Sequence, residues 1–488
     1  MSLQHILFKK CVFDFLTFVL IFFLVSFQSS CKKLIEVDAP VTSINADNVY
    51  SSDPTAIAVL TGVYAKMSRA QINSEGEITS ISFFSGLSAD ELTLYSAVSD
   101  PTYYGYFKNE LSANSVEDHH WNILYSYIYT CNAAVEGLTA STELTAAVKQ
   151  QLLGEAKFLR AFFYFYLINL YGDVPLVTST KYLLNSSLSR IPKDEAWQFV
   201  ISDLSEAQAL LSSDYLDATL KNVTSERVRP AKWTATALLS RVYLYMGAWS
   251  NAALEANKLM EYTSLFSLGD IENAFLANNS EAIWQLQPVD LGWNTPDAKV
   301  FVIPSTGPNE FDNPVYLSQD LVTSLEIGDH RLDKWINKYT DTVSNPHIEY
   351  YYPYKYKSAT LDDPITEYAT VFRLGEQYLI RAEARAQQGD ILGATDDLNT
   401  IRARAGLGNT AATIQSDLLA AILHERRVEL FTEWGHRWFD LKRTASVDAV
   451  MNLVTPQKGG TWSSNWAWYP IPDGELRANK NLVQNVGY

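Results

Sequence analysis

Cysteine is scarce in this chain, with three residues in 488. Cys11 lies within an N-terminal apolar run and Cys31 at its end, which leaves Cys131 alone in the remainder. No disulfide framework can form there, so the folded part depends on its core. Positive charge is also short. With 38 Lys and Arg against 55 Asp and Glu, the formal charge is −17. That balance excludes a nucleic-acid surface, because phosphates demand a basic face, and it disfavours bare anionic lipid headgroups. Histidine is limited to seven scattered residues. His424-Glu425 begins like a zinc-protease helix, but Val428 stands where the second histidine would be needed. The chain has no Gly-x-Ser-x-Gly elbow, phosphate-binding glycine loop or dinucleotide fingerprint. No cofactor is implied, and no metal site is assigned.

Long apolar runs are missing too, with one exception. Lys9 and Lys10 precede an apolar stretch from Cys11 to Phe27, which ends in Gln28-Ser29-Ser30-Cys31. A membrane span needs about 20 apolar residues; this run is shorter and contains Asp14. Its positive, apolar and small-residue parts instead predict a signal peptide over residues 1–30. Cys31 then becomes a new N-terminus whose thiol can accept a lipid. Residues 31–53 read as a tether, and 54–488 as one folded domain.

Helical periodicity dominates that domain. Apolar residues Ala56, Val59, Leu60, Val63, Tyr64 and Met67 predict a helix over Pro54 to Arg69. Further helices are expected over Asp118 to Leu138, Glu143 to Tyr171, Lys193 to Leu211 and Pro230 to Met246. Gly172-Asp173-Val174-Pro175 stops the longest. An internal echo follows. Ala237 to Gly247, continuing to Ala256, matches Gln377 to Gly389, continuing to Leu398. Each half is a helix, a glycine turn and a second helix with alanine five positions after the glycine (Ala252, Ala394). That is tetratricopeptide-type spacing, and such hairpins stack because neither buries its apolar face alone. The expected fold is therefore all-α, with loop-rich regions at about 72–115 and 265–365.

Those two regions carry the candidate binding residues. Aromatics make up 13% of the chain, including 12 Trp and 28 Tyr, more polar-tipped rings than a helical core readily buries. Tyr103, Tyr104 and Tyr106 lie among Pro101 and Gly105, with Asp90 shortly before them. Trp293, Asn294 and Tyr316 offer a second edge. A sugar site needs this mixture, with flat rings covering C–H faces and carboxylate or amide groups orienting hydroxyls. Partner-protein contact and ordinary loop packing are the competing uses of these rings. By contrast, Trp121, Tyr125 and Tyr129 have helical spacing and read as packing. Glu425, Glu429 and Glu433 could suggest paired catalytic carboxylates. Flanking arginines make an ion network the better reading, and no catalytic residue is assigned.

Six landmark strings occur in order along the chain. They are Leu87-Ser88-Ala89-Asp90-Glu91; Gly154-Glu155-Ala156-Lys157-Phe158-Leu159-Arg160-Ala161 with Tyr171-Gly172-Asp173-Val174-Pro175-Leu176; Arg381-Ala382-Glu383-Ala384; Leu398-Asn399-Thr400-Ile401-Arg402-Ala403-Arg404-Ala405-Gly406; Glu425-Arg426-Arg427-Val428-Glu429-Leu430 leading to Gly435 through Arg443; and Tyr469-Pro470-Ile471-Pro472 before Asn479, Gln484, Asn485, Gly487 and Tyr488. With the leader, they resemble the SusD/RagB family of Bacteroidetes outer-membrane nutrient-binding lipoproteins. The resemblance implies tetratricopeptide-type helix pairs and a lipid-anchored protein facing outside. It further implies capture of an oligosaccharide or other nutrient, handed to a SusC-like TonB-dependent transporter without covalent chemistry. The alternative is a helical-repeat scaffold of a surface complex that touches no nutrient itself.

Overall fold

The computed structural model describes residues 48–69, 72, 77–113 and 119–488. The leader 1–30, Cys31 and most of the tether lie outside the described residues. Among the described residues, no helix is long and apolar enough to cross a membrane.

The principal helices are α1 (Asp53–Arg69), α2 (Ile81–Ser88), α3 (Pro101–Phe107), α4 (His119–Ala140), α5 (Ala146–Tyr171), α6 (Lys193–Leu210), α7 (Lys232–Tyr245), α8 (Trp249–Met260), α9 (Leu374–Gln387), α10 (Ile391–Arg404), α11 (Gln415–Glu429) and α12 (His436–Arg443). Short strands occur in pairs. β1 (Leu92–Leu94) pairs with β5 (Val315–Leu317), β2 (Val174–Pro175) with β3 (Arg190–Ile191), β4 (Ala282–Leu286) with β8 (Ala369–Arg373), and β6 (Ile336–Asp341) with β7 (Ile348–Pro353), all antiparallel.

Helix α5 is the pillar of the fold. Its second half, Phe158 through Tyr171, is buried on every side, as expected of a helix apolar all round. It packs between α4 and α6. Phe158 and Phe162 meet Trp284 of β4 and Phe372 of β8 edge to face, at centroid distances of 5.2–6.4 Å. The one cation in this stretch, Arg160, is matched by Asp203 of α6 through Nε (2.7 Å) and Nη2 (2.8 Å) and by Asn132 of α4 (2.8 Å). Burial of a charge is tolerated only when it is paired in this way.

The internal echo folds as two helical hairpins, α7–α8 and α9–α10. Gly247 and Gly389 take left-handed backbone at φ +70° and +82°, the conformation that ends a helix most cheaply when no Cβ is present. Ala252 and Ala394 are fully buried. Leu244, Ala252 and Ala256 of the first hairpin interlock with Ile380 and Ala384 of the second, so small side chains set the stacking distance.

The stretch 72–115 differs from its loop-rich expectation because it contains α2 and α3. In α3, Asp100 caps the helix by accepting from the Thr102 amide (2.8 Å), and Pro101 occupies the first turn. Seven residues make too short a helix for periodicity to reveal, so Tyr103, Tyr104 and Tyr106 lie on a helix instead of a loop. The insert 265–365 likewise carries β4 to β7.

Ala394→Leu adds volume where α9, α10 and α11 pack together. The variant is expected to be destabilised by roughly 1–3 kcal/mol, read as a lower denaturation midpoint in urea, with the exposed Leu392→Ala change close to neutral.

Candidate functional site

The insert is fixed to the helices by charge. Glu425 and Glu429 lie one turn apart on α11, and Glu433 follows its C-terminal end. All three are buried. Arg331 meets Glu425 (2.7 Å) and Glu429 (3.0 Å), while Arg373 at the end of β8 meets Glu429 (2.6 Å) and Glu433 (2.8 Å). Arg404 of α10 also bonds Glu429. Lys355, just after β7, bonds Glu433 and donates to the carbonyls of Glu429 (2.8 Å) and Phe431 (2.9 Å). Burial pushes the Glu429 carboxyl up, but Arg404, Arg373 and Arg331 outweigh it and hold the group well below the usual carboxylate range. Every carboxylate here faces a cation inside the protein, so the arrangement braces the fold and leaves no pair free to exchange protons with a substrate.

On this brace stands a cluster of tyrosines. Cross-strand pairing sets Tyr339 of β6 directly opposite Tyr350 of β7, and the two-residue period of a strand puts Tyr352 on the same face. Tyr95, just beyond β1, and Tyr316 of β5 stand edge-on to Tyr350, at centroid distances of 5.9 and 5.1 Å and angles of 76° and 85°. Tyr339 lies 6.3 Å from Tyr350 at a shallower 31°. Tyr350 and Tyr352 are buried and act as the base, whereas Tyr95, Tyr316, Tyr339 and Tyr354 are half-buried around them. Burial and the neighbouring rings raise the Tyr350 and Tyr316 phenols, which keeps them neutral hydroxyls, able to donate and accept. The other face of the hairpin is polar, with Lys338 paired to Glu349 (2.5 Å) and Tyr351 donating to Glu349 (2.7 Å). Phe311 stands nearby in sequence to β5 with 74% of its surface exposed.

The residues expected from sequence separate into two groups. Tyr316 belongs to the cluster. Tyr104 is half-buried on α3 with the Lys108 ammonium 5.2 Å from its ring. Trp293 is half-buried at a small cleft that also involves Arg69 and Asp290, with the Lys299 ammonium 4.9 Å from its ring. The other four are turned inward. Asp90 is 3% exposed, and Arg437 takes both its oxygens (2.7 and 2.8 Å) while Arg427 adds a third contact (2.8 Å). Tyr103 packs on Phe83 and Phe84, and Tyr106 on Phe84 and Tyr469. Asn294 is buried, donating to Ser358 and the Pro364 carbonyl and accepting from the amides of Thr366 and Glu367. All four are buried, with Tyr103 the most exposed at 9%. Tyr95, Tyr339 and Tyr350 were not singled out from sequence. The run Tyr350-Tyr351-Tyr352 was the available signal, but three consecutive tyrosines put rings on both faces of a strand, and only the pairing with β6 shows which face joins the cluster.

Asp90 and Glu91 show how sharply neighbouring carboxyls diverge. Burial would raise Asp90, yet hydrogen bonds and charge from Arg437 and Arg427 bring it down to about 2. Glu91, buried beside that anion, is pushed up to about 8. A depressed carboxyl contributes stability above its unfolded value of about 3.9 and loses it as pH falls toward the folded value. Asp90→Asn is therefore expected to cost on the order of 2–3 kcal/mol at neutral pH and to flatten the acid limb of stability between about pH 4 and pH 2. Denaturant titrations across that range measure both effects.

Comparison with known proteins places the fold. A family profile described as "Starch-binding associating with outer membrane" matches residues 53–244, and one described as "SusD family" matches residues 324–488. A SusD-like protein of Formosa agariphila is 25% identical over 96% of this chain and 98% of its own length. Among solved structures, surface glycan-binding protein A from Bacteroides uniformis superposes with a TM-score of 0.75 at 20% identity, covering 89% of this chain and 99% of that one. A laminarin-binding SusD-like protein gives 0.72 at 24%, covering 90% and 100%. With the stacked hairpins and two profiles that match residues 53–244 and 324–488, this chain belongs to the SusD/RagB family.

Proposed function

We propose that the protein is a non-enzymatic surface lipoprotein that captures an oligosaccharide on the tyrosine cluster and delivers it to a SusC-like TonB-dependent transporter. The observation that carries this reading is the corner of rings formed by Tyr95, Tyr316, Tyr339 and Tyr350. Pyranose rings present flat C–H faces bordered by hydroxyls. Neutral tyrosines answer both, with an apolar face and a hydroxyl that donates and accepts. Tyr104 and Trp293 lie outside that cluster, each beside a lysine, and are separate candidate contacts. Asp90 and Asn294 brace their own segments, through Arg437 and Arg427 and through Ser358 and the chain at 364–367, while Tyr103 and Tyr106 pack in the core.

Family membership and relatives named as starch-binding or glycan-binding proteins support carbohydrate as the ligand class. Catalysis has no place in this reading, since each buried carboxylate of the α11 set is matched by arginine or lysine. Cys31 carries the lipid, and the protein faces outward from the outer membrane as a lid over the transporter.

Calorimetric titration with β-glucan and malto-oligosaccharides tests the ligand assignment. At least one series is expected to bind, and Tyr95→Ala and Tyr316→Ala are each expected to weaken it about tenfold, the effect of losing ~1.4 kcal/mol of ring contact. Silence across both series and across a peptide panel, or binding indifferent to both substitutions, would contradict it. Mass spectrometry of the membrane-extracted protein tests the anchor through diacylglycerol on Cys31.

A further inference from the structure

A second concave site lies apart from the tyrosine cluster and shares none of its residues. Helix α1, the segment 216–229 and the chain around the end of β4 enclose a cavity of about 290 Å³. Its walls are aliphatic, from Ala65, Leu216, Val228, Leu286 and Val289. Tyr64 and Arg229 line its inner end.

The chemistry of that end is specific. Arg229 grips Glu155 through Nη2 (2.7 Å) and Nε (3.2 Å), and its Nη1 donates to the Thr61 hydroxyl (3.0 Å). Tyr64 donates to the same carboxylate (2.7 Å), and Gln151 adds a fourth bond (3.0 Å). Glu155 is thereby saturated, and its charge cancels that of Arg229. A guanidinium has five N–H groups; three are committed here, so donor capacity remains on a side chain that is itself 6% exposed. At the mouth stand two carboxylates. Asp217 is held ionised by hydrogen bonds from Asn222 and Thr219, and Glu226 accepts from Asn278 (2.7 Å).

We propose that this cavity is a second binding site, which takes a neutral aryl or acyl group whose carbonyl accepts a hydrogen bond from Arg229. The aliphatic walls select an apolar body. An anion would pass two carboxylates to reach a guanidinium that Glu155 already neutralises, and it would exchange its hydration for little attraction. A cation would be held at the mouth beside Asp217 and Glu226 and would leave the donors of the inner end unmatched. A neutral group with one acceptor matches each feature. The volume admits a fused aromatic pair or a short acyl chain and excludes an extended oligosaccharide. This site goes beyond the glycan reading and does not depend on it.

The test uses Prodan, a neutral naphthyl ketone whose emission shifts to the blue when it leaves water, titrated against the purified full mature chain. A saturable blue shift in the micromolar range is expected. Ala65→Trp, which fills the cavity from α1, and Ala218→Trp, at an exposed position on its rim, are each expected to weaken binding at least about tenfold. Tyr316→Ala should leave it unchanged. Anilinonaphthalene sulfonate, similar in size but anionic, is expected to bind about tenfold more weakly. Circular dichroism of the exposed-rim variant confirms that lost binding is not lost folding. The proposal is overturned by the absence of any shift, by equal titrations in the wild type and both tryptophan variants, or by a sulfonate that binds as tightly as the ketone.

Discussion

The structure depends on a set of buried carboxylates at the C-terminal end of α11 and on the cations that reach them. Glu425, Glu429 and Glu433 come from one short segment. Arg331, Lys355, Arg373 and Arg404 come from four places, two of them within or beside the insert that carries the tyrosines. Removing ions from water costs several kcal/mol each, and the cost is offset only when all the partners are in place. Such a set is therefore weak evidence for stability and strong evidence for geometry. Arg331 cannot satisfy Glu425 and Glu429 unless the segment before β6 lies against α11. Lys355 cannot reach two carbonyls and Glu433 unless the end of β7 does so as well. The ladder fixes both strands at the open end of the β6–β7 hairpin, where Ile336 pairs with Pro353.

That constraint explains the division of labour in the molecule. Aromatic packing around α5 and the alanine seam between the hairpins make a rigid scaffold, and rings there are buried on all sides. Tyrosines on the hairpin are different, because the backbone is held by ions and by pairing. Their rings need not be packed away to stabilise the fold. Tyr350 and Tyr352 form a buried base, and Tyr95, Tyr316 and Tyr339 are left half-buried around it. Recognition surfaces on loops commonly rest on such external bracing.

Local pattern made the helices legible. The ends of α5 and α6 and the two hairpins follow from periodicity and glycine turns, and the ionic role of the α11 glutamates follows from their arginine neighbours. The binding surface was less legible because its parts meet only through distant pairing. Tyr316 reaches Tyr350 through strands the proline-rich insert did not suggest, and β5 pairs with β1, near which Ser318 donates to the Asp90 carbonyl 228 residues away in sequence. Asp90 looked available because its partner Arg437 is 347 residues distant. Tyr103 and Tyr106 looked exposed because a seven-residue helix shows no period. In each case burial was decided by a residue that sequence spacing could not bring near.

The ion set holds the tyrosine-bearing hairpin on the helical scaffold. Lys355→Met keeps the length and apolar stem of the side chain while removing three bonds to the end of α11. Hydrogen exchange followed by mass spectrometry is the direct measurement. The account predicts faster exchange across residues 336–353, with α9 and α10 retaining wild-type protection. Unchanged exchange in the hairpin, or protection lost equally across α9 and α10, would contradict it.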